Sequence, residues 1–591
     1  MADKMSILQK QTDANIRAKA NLIWEIATHL VGLFKPHEYG KVILPMTVLK
    51  RFDDALAPTK QAVLDEYEQC RKLGIGETAM QGLLEEAAGL RFYNHSKYDF
   101  KKLAADPDNI ASNFEDYLLG FSPNVKDIID NFEFNAEVKK MVDGGVLYVV
   151  IQEFLSPKGD MSPEKITSTD MGYVFEELIR KFSESYNEQA GAHFTSRDII
   201  YLMAELLVAT KRDDLKSGGI KTAYDMTMGT SQMLGCLTER VSDINPDAEL
   251  RCFGQELNPE TYAIAVSDML IKGGNVDGMK NGDTLSHDAF PNHKFDYIIS
   301  NPPFGIDWKK EKEAVEKEAK KQYEGRFGPG LPAISDSQML FLLNGVAKLK
   351  DDGRMAIIQN GSSLFTGDAG SGPSEIRKYL IEGDLVEAIV QLPTDLFYNT
   401  GIATYVWVVT KDKAAERMGK IQLIDASECF VKRRKNIGKK RVELNAACIA
   451  LIMKAYREFS DGEFKDGALK VESKVRENKF FGYTKVAVET PITDESGKPV
   501  LKRGKPQPDK SKSDTESVPL LEDIDEYFAR NVLPYNKLAY MDRSKDKIGY
   551  EIPFTRLFYK FVAPRKADDI FEEIKALSAQ EQELVKEVLG E

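Results

Sequence analysis

Apolar residues recur at helical spacing along Asn21–Leu33 and again along Lys41–Leu56, where Leu44, Val48, Leu49 and Phe52 share a face; Pro36 breaks the two runs. This texture persists to about residue 165 and predicts a helical packing domain over 1–165. From 166 the pattern changes. A helix over Tyr173–Phe182 leads into a loop, Gly191–Arg197, and a second helix, Asp198–Ala209. Short apolar runs then alternate with helical stretches: Thr222–Asp225, Arg251–Gln255, Phe295–Ser300, Arg354–Gln359, Leu385–Leu392, Thr404–Thr410 and Ile421–Ile424. Such alternation predicts an α/β domain over 166–430 with a mostly parallel sheet, whose ligands lie beyond the C-terminal ends of the strands. Residues 431–591 read as a mixed C-terminal region. It opens on a basic stretch, Lys432–Arg441, passes through a polar segment, Thr490–Ser517, expected to be exposed and mobile, and ends in an amphipathic helix, Ala567–Gly590.

Composition narrows this picture. A chain of 591 residues is too long for one core, so two to four domains are expected. No apolar run is long enough to span a bilayer, and the first twenty residues lack an apolar signal core. The five cysteines are scattered without a CxxC pair and the six histidines form no HExxH. Neither a disulfide framework nor a metal site is expected, and the usage fits a reducing cytoplasm. The net charge of −13 is unusual for a protein that grips nucleic acid alone.

The strongest chemical signal is an apolar run, Phe295–Ser300, ending abruptly in Asn301-Pro302-Pro303-Phe304. The prolines stop the strand and fix φ, so the Asn301 side chain is held at the strand tip. A plain strand-ending turn would need neither the apolar strand before it nor the aromatic after it. An exocyclic adenine amine is a poor nucleophile because its lone pair is delocalised into the ring. Two acceptors aimed at its hydrogens, the Asn301 side-chain oxygen and the Pro302 carbonyl, would favour a more tetrahedral nitrogen. Phe304 could stack on a base swung out of the duplex. This motif resembles that of amino-methylating DNA methyltransferases, in its adenine-N6 form.

The resemblance implies a Rossmann-like methyltransferase core that uses S-adenosylmethionine, and it assigns cofactor residues upstream. Asp225, Thr227, Met228 and Gly229 lie in a turn similar to the family's Asp-Pro-x-x-Gly-[ST]-Gly. Met226 replaces the proline, and Ser231 and Gln232 stand where small residues or a second glycine are usual. Glu256 would end the second strand and accept the ribose hydroxyls; Asp283, in Asn281-Gly282-Asp283, would accept from the cofactor's adenine amine. Ala192, His193, Phe194, Thr195, Ser196 and Arg197 resemble the family's Gly-x-[YF]-[YF]-Thr-Pro-Arg cofactor loop, with His193 and Ser196 as departures. The order of motifs resembles the γ class. Leu385–Gly401, the start Glu38–Leu44 and the late Tyr550–Thr555 extend the resemblance to the modification subunits of type I restriction–modification systems.

That family implies a DNA substrate, two copies of this chain joined to one specificity subunit that reads sequence, and a separate restriction subunit for cleavage. No GxxxxGK[ST] phosphate loop is present. Two other readings stay open: a self-sufficient methyltransferase, which needs a recognition domain and a less acidic chain, and a scaffold that has lost cofactor binding. Two segments carry further expectations. Gly325–Gly330 is glycine- and proline-rich and is expected to be a mobile lid or a plain loop. Lys432–Arg441 holds seven cations in ten positions and is either a solvated loop or a contact to DNA phosphates.

Overall fold

The computed structural model describes residues 19–589 apart from 20, 23–24, 167–169, 172–173, 176–194, 210–214, 216–217, 272–273, 275, 399, 438, 503 and 560–565. Two units divide it, residues 1–552 and 553–591.

The apolar runs of the middle region become strands of one sheet. They are β1 Gly219–Asp225, β2 Ala248–Glu256, β3 Met279–Asn281, β4 Phe295–Ser300, β5 Leu349–Asn360, β6 Val386–Gln391, β7 Thr404–Thr410 and β8 Lys420–Asp425. The order across the sheet is β3-β2-β1-β4-β5-β7-β6-β8. Neighbours are parallel except β7, which runs antiparallel between β5 and β6. β4 and β7 are buried at every position, as near-continuous apolar strands covered on both faces must be. The order reverses between β1 and β4, so the ends of these two strands open a crevice at the switch point. The sheet also continues past residue 430. β12, Leu469–Glu477, adds antiparallel to β8, and β11, Gly462–Asp466, adds to β12.

Helices cover the sheet. Arg197–Val208 and Gln232–Ile244 pack together against one face, and Gln338–Lys348 lies along β5. The N-terminal region is helical as expected. Its helix Tyr39–Leu56 is buried over nearly its whole length and, with Pro123–Asn131, packs on Pro259–Ile271 of the sheet domain. Lys50 and Arg51 of Tyr39–Leu56 are buried; Arg51 donates to the Met161 carbonyl and Lys50 pairs with Asp54.

Two C-terminal expectations need correction. The polar segment Thr490–Ser517 is largely exposed, as expected, but folded. A small hairpin, β14 Leu501–Lys502 with β15 Lys505–Pro506, precedes β16 Asp514–Pro519. β16 flanks β13, Gly482–Glu489, which pairs on its other side with β17, Tyr540–Tyr550. Buried Arg377 ties this sheet to the core through the carbonyls of Tyr550, Ser363 and Thr366. Backbone pairing thus satisfies the polar groups that composition alone assigns to water. The basic stretch, in turn, forms a hairpin of β9 Val431–Ile437 and β10 Lys440–Glu443. In the second unit Ala567–Leu589 is helical and its described apolar side chains Ile570, Phe571, Ile574, Leu577 and Leu584 are exposed.

Candidate active site

The site forms where β1, β2, β3 and β4 end. After β1 the chain turns through Gly229, whose φ of +52° favours glycine, and Ser231 at φ +65°. A Cβ built on Gly229 would meet no atom within 4 Å, so the turn offers bare backbone to open space. A cleft there is lined by Thr195, Asp225, Thr227, Gly229, Thr230 and Asn301. A roomier, largely apolar cavity behind β2, lined by Thr238, Leu250, Cys252, Phe253 and Met269, touches none of the strand-end acids.

Asp225 is buried at the tip of β1. Its Oδ1 accepts from Ser300 Oγ at 2.7 Å and from the Thr227 amide at 3.1 Å, and Thr227 Oγ1 lies 2.9 Å from Ser300 Oγ. Burial pushes its carboxyl up to about 7 against those hydrogen bonds, with nearby Glu256 adding to the rise. Glu256 ends β2. Its Oε2 accepts from the Gly229 amide and its Oε1 from the Asn258 amide, both at 2.9 Å, and burial pushes its carboxyl up too. Among the described residues no lysine or arginine pairs with either acid. Asp283 follows β3, and its Oδ1 caps the next turn by accepting from Leu285 and Ser286 amides at 2.6 and 2.9 Å. The Gly282 amide bonds the Glu256 carbonyl at 2.9 Å, which keeps these two acids on adjacent strand ends.

Asn301 is buried at the tip of β4, and its Nδ2 donates to Thr195 Oγ1 at 2.8 Å. One hydrogen bond therefore joins the expected catalytic residue to the expected cofactor loop. Pro302 is buried, and Pro303 and Phe304 are half-buried beside it. Ala192, His193 and Phe194 lie outside the described residues. Ser196 bonds Asp198, while Arg197 turns to Glu239 at 3.6 Å and stacks near Tyr201. Met226, in the place of the family's proline, is fully buried and receives the Asn344 amide on its sulfur at 3.3 Å; core packing accounts for the departure.

Sequence reasoning missed three residues. Ser300 precedes the Asn-Pro-Pro-Phe motif and ends the same strand, a position that could have signalled its contact with Asp225. Glu311 sits beside Asp283, and burial and that neighbour raise its carboxyl; nothing in its charged surroundings marks it. Lys440 belongs to the basic run, yet it is buried, with Nζ on Ser196 Oγ at 2.9 Å, Asp198 Oδ2 at 3.0 Å and the Leu396 carbonyl at 2.9 Å. The lid expectation also fails for Gly325–Gly330. Arg326 pairs with Glu318 and donates to the Thr284 and Leu285 carbonyls and to Asn344, and Phe327 is fully buried. A segment so pinned is packed structure, not a hinge.

Residues 167–495 match the N-6 DNA methylase family, and residues 19–154 match the HsdM N-terminal domain. The chain is 23% identical over 464 residues to the type I restriction enzyme MjaIX methylase subunit of Methanocaldococcus jannaschii, covering 76% of this chain and 78% of that one. To the MpnII methylase subunit of Mycoplasma pneumoniae it is 25% identical, covering 72% and 82%. The fold is similar to the crystal structure of a type I methyltransferase subunit from Streptococcus thermophilus, at a TM-score of 0.59 and 22% identity, over 79% of this chain and 96% of that one. Among the described residues no helix is long and apolar enough to cross a membrane. The chain belongs to the N-6 DNA methylase family, as a modification subunit of the type I restriction–modification kind.

Proposed function

We propose that this chain transfers a methyl group from S-adenosylmethionine to the N6 amine of an adenine flipped out of DNA, at sites chosen by a separate specificity subunit. The observation that carries the reading is Asn301: buried at the tip of β4, next to two prolines, and bonded to Thr195 across a cleft lined by Asp225 and Gly229.

The residues present fit the cofactor. Gly229 leaves the cradle open, and Glu256 keeps lone pairs beyond its two amide bonds for ribose hydroxyls. Asp283 would take the adenine amine, and Asp225, Thr227, Met228 and Thr195 would border the amino-acid part. When bound, S-adenosylmethionine supplies an electrophilic methyl group. The Asn301 side-chain oxygen and the Pro302 carbonyl accept the two hydrogens of the target amine. This turns the nitrogen lone pair out of the plane of the ring, free to take the methyl group as S-adenosylhomocysteine departs, and one amine proton is then lost to solvent. Thr195 holds the Asn301 amide so that its oxygen, and not its nitrogen, meets the substrate. Phe304 offers an aromatic face to the extruded base, offsetting part of the unstacking cost.

The relatives' names, methylase subunits of type I restriction enzymes, support a place in a multi-subunit enzyme; its other members would be one specificity subunit, joined by two copies of this chain, and a restriction subunit where cleavage is added. Asn301→Ala in the assembled enzyme should lower methyl transfer by about 100-fold or more while leaving cofactor affinity within a few-fold. Labelled methyl transfer, with nucleoside analysis of the product, checks both the rate and the N6 position. Activity within tenfold of wild type, or a methylated base other than N6-methyladenine, overturns the assignment.

A further inference from the structure

We infer that the β9–β10 hairpin is a binding surface for DNA phosphates, latched by Lys440 to the segment that positions Asn301; this rests on the methyltransferase reading above.

The hairpin separates its cations into two kinds. Lys440 is buried and spent on Ser196, Asp198 and the Leu396 carbonyl, and Arg433 is paired with Glu443. Lys432, Arg434, Lys439 and Arg441 are exposed, and among the described residues none of them is in an ion pair. Four uncompensated cations within ten residues repel one another. The cluster stands in a chain whose net charge is −13. An acidic chain repels a polyanion over most of its surface, so a polyanion is tolerated best at such a hairpin.

The hairpin's placement selects the anion. The Leu444 amide bonds Asp198 at 2.8 Å, the Arg441 amide bonds the Asp395 carbonyl at 2.9 Å, and the Lys439 amide bonds the Tyr398 carbonyl at 2.7 Å. Lys440 Nζ reaches Ser196, whose chain neighbour Thr195 receives the Asn301 amide. The exposed cations thus ride on a hairpin tied through two hydrogen bonds to Asn301, the residue proposed to meet the target amine. A phosphodiester backbone delivering an adenine to Asn301 passes this place. A protein partner is disfavoured, because protein interfaces centre on apolar and aromatic anchors and are depleted in lysine. Among the described side chains, no large apolar one is exposed between Met418 and Ile492. Lys440 itself is a positioning residue: it touches neither substrate nor cofactor but holds the hairpin against the loop.

The test is a salt titration of a labelled random-sequence duplex binding to the full-length chain, from low to physiological salt. It compares wild type with Lys432→Ala/Arg434→Ala/Lys439→Ala/Arg441→Ala and with the charge-keeping Lys432→Arg/Lys439→Arg. Each lost phosphate contact removes about 0.9 from the slope of log K against log salt. The quadruple variant should therefore lose roughly two to four units of slope and bind at least tenfold more weakly at low salt. The arginine variant should keep both. An unchanged slope in the quadruple variant overturns the inference. So does a wild-type chain that fails to bind at low salt, or a quadruple variant whose only defect is loss of its protein partners. Calorimetry with S-adenosylmethionine on the same samples separates the two readings. Normal cofactor binding with an unchanged slope removes only the hairpin's role, whereas slope loss in a chain that cannot bind the cofactor removes only the methyltransferase reading.

Discussion

Asp198 and Asp225 are both withdrawn from solvent, and both belong to the small network around Asn301, yet their surroundings push them in opposite directions. Burial raises each one. At Asp198 the neighbouring Lys440 ammonium, together with Ser196 and the Leu444 amide, more than offsets burial and holds the carboxyl below its ordinary range. At Asp225 two hydrogen bonds and no cation leave burial dominant, and the carboxyl is raised to about 7. Asp198 is a satisfied structural anchor. Asp225, with Glu256 beside it, is a poorly compensated acid kept at the edge of an open cleft, as a group intended for a cationic ligand would be. Burial alone does not separate a structural carboxylate from a binding one; the identity of the counter-charge does.

Breaking the structural arm should have the largest effect. Lys440→Met leaves Asp198 buried without its cation, and removing one partner of a buried pair costs about 3–5 kcal/mol. Urea unfolding measures it. Lys440→Met/Asp198→Asn removes the orphaned charge and should recover part of the loss. A single-variant cost under about 1 kcal/mol would mean that the latch is ornamental. The binding arm should respond differently. On the proposed cofactor assignment, Glu256→Ala and Asp283→Ala should each remove a buried or charge-assisted hydrogen bond to S-adenosylmethionine, roughly 1.5–3 kcal/mol, or about ten- to 150-fold in Kd. Global stability should move far less than with Lys440→Met. Wild-type affinity in either variant shows that the cofactor lies elsewhere.

The same contrast explains what could be read from the sequence. Phe295–Ser300 and Thr404–Thr410 are strands at the expected residues, because a strand buried on both faces is an uninterrupted apolar run bounded by polar breaks. Asn301 at a strand tip was legible for the same reason. β11 and β12 were not. β12 alternates Val471, Ser473 and Val475 with charged neighbours, β11 is the outermost strand beside it, and half-buried strands near the rim of a sheet carry a weak apolar signal. The strand pairing within Thr490–Ser517 was not legible, because composition reports affinity for water and not backbone pairing. The basic run concealed Lys440, since a buried lysine and a solvated one are the same letter. Only the fold brings Asp198, 242 residues away in the chain, into hydrogen-bonding range.

The smallest effect, and the sharpest division between the two aspartates, concerns pH. A carboxyl whose folded value is raised, as at Asp225, contributes stability that is fully present below its unfolded value near 4 and is lost as pH rises through about 7. The free protein should therefore become less stable between pH 5 and about 7.5 through this group, and Asp225→Asn should remove that slope. Asp198 is depressed, so its contribution is held throughout this window and disappears only in acid. A cation in the cleft reverses the balance at Asp225 by favouring its ionised form. Binding of S-adenosylmethionine below about pH 7 should then release up to one proton from Asp225, with a smaller share from Glu256. Affinity should rise by at most about tenfold per pH unit and level off above 7. S-adenosylhomocysteine, whose sulfur is uncharged, should show a shallower rise. Calorimetry at several pH values, in buffers of different ionisation enthalpy, reads both the affinity and the proton count. A flat affinity with no proton release would mean that Asp225 ionises without help from the ligand, and the distinction between the two acids would collapse to packing alone.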